Sequence, residues 1–214
     1  AAAGSAVTGM RPIAELMFMD FSTIAMDAIV NQAAKMRYMF GGKLKLPMVV
    51  RLPSGGGVAA AAQHSQSLEA WLTHVPGLKV VYPSTPQDAL GLMLSAIDDE
   101  DPVMFVEHKA MYGMKGDVDD VIVPIKLGVG DIKRAGTDIT VVATGKMVHE
   151  ALKAAAKLEK EGISVEVIDP RTLYPLDKQM IFNSIEKTTR VVIATEEVKR
   201  GSFAGELAAM ISES

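Results

Sequence analysis

Six short runs rich in β-branched residues, spaced by segments of helical character, constrain this chain more than any other feature. They are Met48–Leu52, Leu78–Tyr82, Val103–Val106, Ile139–Ala143, Val165–Ile168 and Val191–Ala194, bounded by Pro, Gly or Asp residues. Short continuous apolar runs with such boundaries read as strands buried on both faces. Between several of them lie helical patterns. Ile24 to Tyr38 gathers Ile24, Ala28, Ile29, Ala33 and Met36 near one face, and Val30 and Ala34 broaden it, so this helix is expected to be buried on most sides. Ser84–Asp88 offers a cap, an early proline and an acid, after which Leu90, Met93 and Ile97 repeat as an apolar face. Met147 to Glu161 is a further helix stopped by Gly162, and Ala204 to Ile211 another. Strand–helix–strand alternation with short connections predicts α/β architecture, with parallel sheets covered by helices.

The rhythm breaks between Tyr112 and Gly136, where glycines and the acidic stretch Asp117–Asp120 carry no amphipathic period. The expected organisation is one α/β domain over residues 1–115, a linker over 116–136 and a second α/β domain over 137–214. Both ends look cut. The chain opens on small residues, Ala1 to Val7, that resemble the middle of a packed helix, and it stops at Ser214 just after a helical segment. Residues belonging to the complete fold are therefore expected beyond each end.

Composition narrows the function classes. A net charge of −4, without a Lys/Arg stripe interleaved with aromatics, argues against nucleic-acid binding. The absence of cysteine excludes disulfides, thiolate nucleophiles and Cys-ligated zinc, and fits a reducing compartment. No apolar run reaches the roughly 18 residues of a membrane span, so the chain is read as soluble.

The chemistry concentrates in a few places. Arg51-Leu52-Pro53-Ser54-Gly55-Gly56-Gly57, followed by Gln63-His64-Ser65-Gln66, reads as a strand opening into a glycine loop that ends in a histidine. Consecutive glycines let a ligand or another chain approach the backbone, and a histidine exchanges protons near neutral pH; a structural loop with a satisfied histidine fits equally. Phe21 either presents a ring to a planar ligand or packs in the core. Trp71 suits core or interface. The helix starting at Pro86 ends at Asp98-Asp99-Glu100-Asp101, acids at the wrong pole of the helix dipole. That arrangement reads as a solvated acidic turn, or as a cation site using the Ala96 and Ile97 carbonyls with nearby carboxylates. Arg171, just after a strand, reads as a surface arginine at a ligand-binding edge. His64, His74, His108 and His149 show no metal-binding spacing, and no glycine motif opens a helix as a phosphate cradle. A phosphorylated cofactor would then need another polypeptide to hold it.

Over almost its whole length the chain resembles the beta subunit of the thiamine diphosphate-dependent 2-oxo acid dehydrogenases. Gly9-Met10-Arg11-Pro12, Asn31-Gln32-Ala33-Ala34-Lys35, the glycine loop with Gln63-His64-Ser65-Gln66, Pro76-Gly77-Leu78-Lys79-Val80-Val81, Asp101-Pro102-Val103 and Ile168-Asp169-Pro170-Arg171-Thr172-Leu173 carry the resemblance. Arg37 to Lys43, and Lys199-Arg200-Gly201 after Glu196-Glu197, resemble the acetoin dehydrogenase branch, with the pyruvate branch near.

The resemblance implies a transketolase-like pyrimidine-binding domain followed by a truncated transketolase C-terminal-like domain. It implies an alpha2-beta2 tetramer, in which the alpha subunit holds the diphosphate and magnesium of thiamine diphosphate and the beta subunit holds the aminopyrimidine. Phe21 then matches the aromatic on that ring and His64 the catalytic histidine near the reacting carbon. Met48, Ala96, Ile97, Asp99 and Asp101 match a structural potassium site, the first three through carbonyls. The implied reaction cleaves a carbon–carbon bond beside a carbonyl of acetoin or a 2-oxo acid and passes the acyl group to a lipoyl arm on an acyltransferase core. The glutamate that contacts the pyrimidine falls upstream of Ala1, so the chain alone is expected to be inactive. The location implied is the bacterial cytoplasm, or the mitochondrial matrix in a eukaryote. A non-catalytic assembly module of transketolase type is the competing reading.

Overall fold

The computed structural model describes residues 1–214 as two sheets joined through one continuous core. The strands are β1 (Ile13–Glu15), β2 (Val49–Ser54), β3 (Lys79–Val81), β4 (Val103–His108), β5 (Asp131–Arg134), β6 (Ile139–Ala143), β7 (Val165–Asp169), β8 (Thr172–Tyr174) and β9 (Val191–Ala194). The first sheet has the order β1-β2-β4-β3-β8, parallel except for β8, and the second has the order β5-β7-β6-β9, parallel except for β5. All six expected runs form strands, and β2, β4 and β7 are almost wholly buried, as parallel strands covered on both faces must be.

The helices follow from their local signals. Thr85 caps the helix Pro86–Asp98 by accepting from the Asp88 N–H, with Pro86 in its first turn. Gly162 terminates the Lys146–Glu161 segment in the left-handed region at φ +80°. The helix beginning at Ser22 differs from expectation. Residues Asp27–Ala33 are π-helical, and bonding from i to i+5 moves side chains off the 3.6-residue period on which the face was assigned. Ile29, Ala33 and Ala34 are buried, but Ile24 is 87% exposed and Tyr38 88%, so this helix is buried on one side only.

Two features join what the sequence divides. The segment 116–136, expected to be a linker throughout, contributes β5, which pairs antiparallel with β7 through Asp131↔Asp169 and Ile132↔Ile168. Strand β8 leaves the second half of the chain and adds to the edge of the first sheet, pairing Val81 with Thr172 and Val80 with Tyr174. The main core runs through both halves. It unites Val50, Tyr82 and Met104 with Val142, Ile168, Leu173 and Phe203 among its 22 buried residues. The carboxyl ends of β2, β3 and β4 lie against this junction, the edge at which open parallel sheets place ligands. No helix is long and apolar enough to cross a membrane.

Candidate active site at the strand ends

Strand β2 delivers the chain to Gly55 and Gly57, both at φ +86°. A Cβ on Gly55 would overlap the His108 imidazole, so close approach as well as backbone conformation requires glycine here. The loop then returns to a single 3-10 turn, Ala62–His64. Gln66 anchors that return: its Nε2 donates to Asp20 Oδ1 at 2.8 Å and its backbone N–H reaches the same oxygen at 3.3 Å. Asp20 belongs to the 3-10 turn Met19–Phe21 and is 5% exposed. One buried carboxylate thus ties the His64 loop to the aromatic turn.

The result is a three-ring cluster. His64 meets Phe18 edge-on at 4.4 Å between centroids and Phe21 at 5.4 Å, and the two phenyl rings stand 5.7 Å apart at 81°. Such T-shaped contacts add to the burial of each ring. Phe21 is half-buried, its ring on the cluster and not in the main core. Phe18, Asp20 and Lys109, which sequence reasoning did not single out, complete the cluster. Lys109 Nζ lies 5.5 Å from the Phe18 centroid. Nothing in the local sequence signals Lys109, because only β4 pairing beside β2 brings its turn to the aromatic turn.

The second half of the chain closes the far side. His108, buried at the end of β4, is hydrogen-bonded through Nε2 to Glu196. Burial lowers the His108 pKa, and Glu196 opposes that shift. Glu197 accepts from the Phe203 N–H at 3.1 Å and so holds the start of the last helix. Glu69 is 1% exposed, and burial, reinforced by the charges of Glu197 and Glu196, pushes its carboxyl up to about 8. Trp71 is half exposed on the helix Glu69–Thr73 and lines a separate cavity of about 830 Å³ with His74, Phe203 and Met210.

The acidic turn is neither freely solvated nor an open cage. Arg11 Nη1 donates to the Ile97 carbonyl at 2.6 Å and the Asp99 carbonyl at 3.0 Å. Lys79 Nζ holds the Asp99 carboxylate at 2.7 Å and reaches Asp101 at 3.4 Å, while Arg37 pairs with Asp101 and Lys45 with Glu100. The Met48 carbonyl accepts from Val103 N–H at 2.9 Å in the β2–β4 ladder, and Ala96 is buried beneath the turn. Of the five expected potassium donors, the Met48 and Ile97 carbonyls, Asp99 and Asp101 each meet a protein donor in this arrangement, and Ala96 does not. The charge that offsets the helix pole comes from Arg11 and Lys79.

Arg171 is likewise not a surface residue. Its side chain is 12% exposed, its Nη1 meets Asp88 Oδ1 at 3.0 Å, and its Nη2 donates to the Val129 and Gly130 carbonyls. Its φ of +56° is set by the turn between β7 and β8. Burial alone would raise the Asp88 pKa, but hydrogen bonds from Lys133, Thr85 and Arg171 bring it below the usual carboxylate range.

Comparison with known proteins agrees with this architecture. The family model "Transketolase, pyrimidine binding domain" matches residues 1–115, and "Transketolase, C-terminal domain" matches residues 128–214. The chain is 54% identical over 213 residues to the acetoin:2,6-dichlorophenolindophenol oxidoreductase subunit beta of Bacillus subtilis, covering all of this chain and 62% of that protein. It is 53% identical to the 2-oxoisovalerate dehydrogenase subunit beta of the same organism, covering 98% of this chain and 64% of that one. A solved split-gene transketolase, an inactive beta4 tetramer, superposes with a TM-score of 0.82 at 28% identity, covering 99% of this chain and 66% of its own. The chain spans less than two thirds of the curated relatives named here. Matched over both halves in sequence and fold, it belongs to the transketolase-like beta-subunit family of thiamine diphosphate-dependent 2-oxo acid and acetoin dehydrogenases.

Proposed function

We propose that this chain is the beta-subunit portion of a dehydrogenase component that cleaves acetoin or a 2-oxo acid and passes the acyl group to a lipoyl carrier. The observation that carries this reading is His64 held edge-on between Phe18 and Phe21, beside the carboxyl ends of β2 and β4. The assembly-module reading is not favoured, since the relatives are named as oxidoreductase and dehydrogenase subunits.

The residues present fit the aminopyrimidine of thiamine diphosphate. That ring is flat and carries both donors and acceptors. Phe21 offers a half-buried aromatic face, and beside it His64 Nδ1 is buried without a hydrogen-bond partner. When bound, the cofactor supplies the electron sink that this chain lacks. The chain's own residues orient and move protons. Phe21 packs the ring, Gln66 fixes Asp20, and His64 gives or takes a proton at the substrate oxygen. The chain offers no glycine-rich phosphate cradle, which fits a diphosphate and magnesium held by an alpha subunit in an alpha2-beta2 assembly. An acyltransferase core bearing the lipoyl arm is the proposed acceptor, in the bacterial cytoplasm or the mitochondrial matrix.

The test is reduction of an artificial electron acceptor by the full-length beta subunit assembled with its alpha subunit, thiamine diphosphate and magnesium. Acetoin, pyruvate and 3-methyl-2-oxobutanoate are compared. Turnover of any one supports the reading, and silence on all three from a verified tetramer with bound cofactor overturns it.

A further inference from the structure

Three buried polar atoms around the Phe18 cluster have no hydrogen-bond partner: His64 Nδ1, Asp20 Oδ2 and Lys109 Nζ. Their capacities are complementary. An ammonium only donates, a carboxylate only accepts, and an imidazole nitrogen does either. Lys109 stands on the turn after β4, and Asp20 on the aromatic turn with its other oxygen committed to Gln66. The two feel each other's field, since Asp20 and Glu196 both oppose the lowering of the Lys109 pKa by burial. Yet no ion pair joins them.

That arrangement is costly. Buried charges lose hydration, and the loss is offset only by direct pairing or hydrogen bonding. A chain selected for stability alone would pair Lys109 with Asp20 or leave both in water. A ligand with an acceptor for Lys109 and a donor for Asp20 would complete both. An α-hydroxy ketone has those groups on adjacent carbons, its carbonyl oxygen accepting and its hydroxyl donating. A 2-oxo acid brings a carboxylate instead, which Lys109 can hold but which Asp20, itself only an acceptor, cannot bind. Sequence identity does not separate the classes, at 54% to an acetoin enzyme's subunit and 53% to a 2-oxoisovalerate enzyme's. The site does.

Resting on the function proposed above, we propose that Lys109 and Asp20 are positioning residues that select a neutral α-hydroxy ketone over a 2-oxo acid for reaction beside His64.

The test compares the full-length beta subunit, assembled with its alpha subunit and cofactor, with its Lys109→Met, Lys109→Arg and Asp20→Asn variants. Values of kcat and KM are measured for acetoin and for 3-methyl-2-oxobutanoate, and acetoin binding is measured separately by calorimetry. The wild type is expected to favour acetoin at least tenfold in kcat/KM. Lys109→Met is expected to raise the acetoin KM and Kd at least tenfold with kcat within threefold, and Lys109→Arg to recover part of that loss. Asp20→Asn, which keeps its shape and therefore carries the test if Lys109→Met does not assemble, is expected to erode the preference at least tenfold. An unchanged substrate ratio in Asp20→Asn overturns the inference, as does a parallel loss of kcat on both substrates. A wild type that favours the 2-oxo acid overturns this inference and leaves the parent reading standing, whereas an assembled wild type inactive on every substrate overturns both.

Discussion

Arg171 Nη1 and Asp88 Oδ1 meet at 3.0 Å across the two halves of the chain, with both side chains nearly buried. The same guanidinium spans Val129 and Gly130, so one side chain fixes the first domain, the connecting segment and the β7–β8 turn together. Removing one partner of a buried pair leaves the other charge uncompensated. Arg171→Met is expected to cost about 3 kcal/mol, the low end for such a change because Lys133 still holds Asp88. Urea denaturation of the assembled protein measures it. A loss no larger than that of an exposed arginine would show that the pair does not join the halves.

Glu69 makes stability depend on pH. Burial raises its folded-state pKa from 4.5 to about 8, so the fold prefers the neutral acid. The contribution is fully present below about 4.5 and is lost as pH rises through about 8, with a slope of at most about 1.4 kcal/mol per pH unit. Asp169, pushed up to about 7 by burial, acts in the same direction and remains in any Glu69 variant. The difference between variant and wild type is therefore the informative quantity. Glu69→Gln is expected to gain stability over wild type progressively from pH 5 to pH 8, read from Tm at each pH. A constant difference would remove Glu69 as the titrating group.

His64 is expected to carry proton transfer. His64→Ala in the assembled enzyme should lower turnover by roughly 10²–10⁴, with alpha–beta assembly by size-exclusion chromatography unchanged. Wild-type rates would sink the role. Lower rates with failed assembly would instead show that the imidazole's packing against Phe18 and Phe21 is what matters.

At the acidic turn, Arg11 is expected to do the work of a cation. Wild-type Tm should be the same in potassium and in sodium at equal ionic strength. Arg11→Met strips the Ile97 and Asp99 carbonyls of their donor, so it should lower Tm by several degrees and make it rise again with potassium more than with sodium. A wild type that is itself potassium-dependent would show that an ion takes the place of Arg11 at the site of Met48, Ala96, Ile97, Asp99 and Asp101.

Legibility in the sequence tracked the range of the physical cause. The central strands announce themselves because burial on both faces demands unbroken apolar runs, as in Val103–Val106. The caps at Thr85 and Gly162 are legible because capping is settled within a few residues. By contrast β1, β5 and β8 are three or four residues long, and they become strands only because a neighbour lies beside them. Ile24 and Ala28, placed on the buried face by the 3.6-residue period, are exposed because the π-helical segment Asp27–Ala33 shifts that period.

The same division runs through the site. The sequence by itself determined that a glycine loop ends at His64, that Phe21 precedes a helix and that acids crowd the end of another. Each is a matter of local order along the chain. Only the tertiary structure decided that Phe18 and Lys109 join His64, that Arg11 and Lys79 answer the acidic turn, and that Arg171 is buried against Asp88. Those partners stand between 20 and 91 residues apart in sequence, and the meeting of Lys109, the aromatic turn and His64 depends on the parallel register of β2 against β4. Charge and burial are properties of place in the fold, and a residue's place is set by every strand pairing that precedes it.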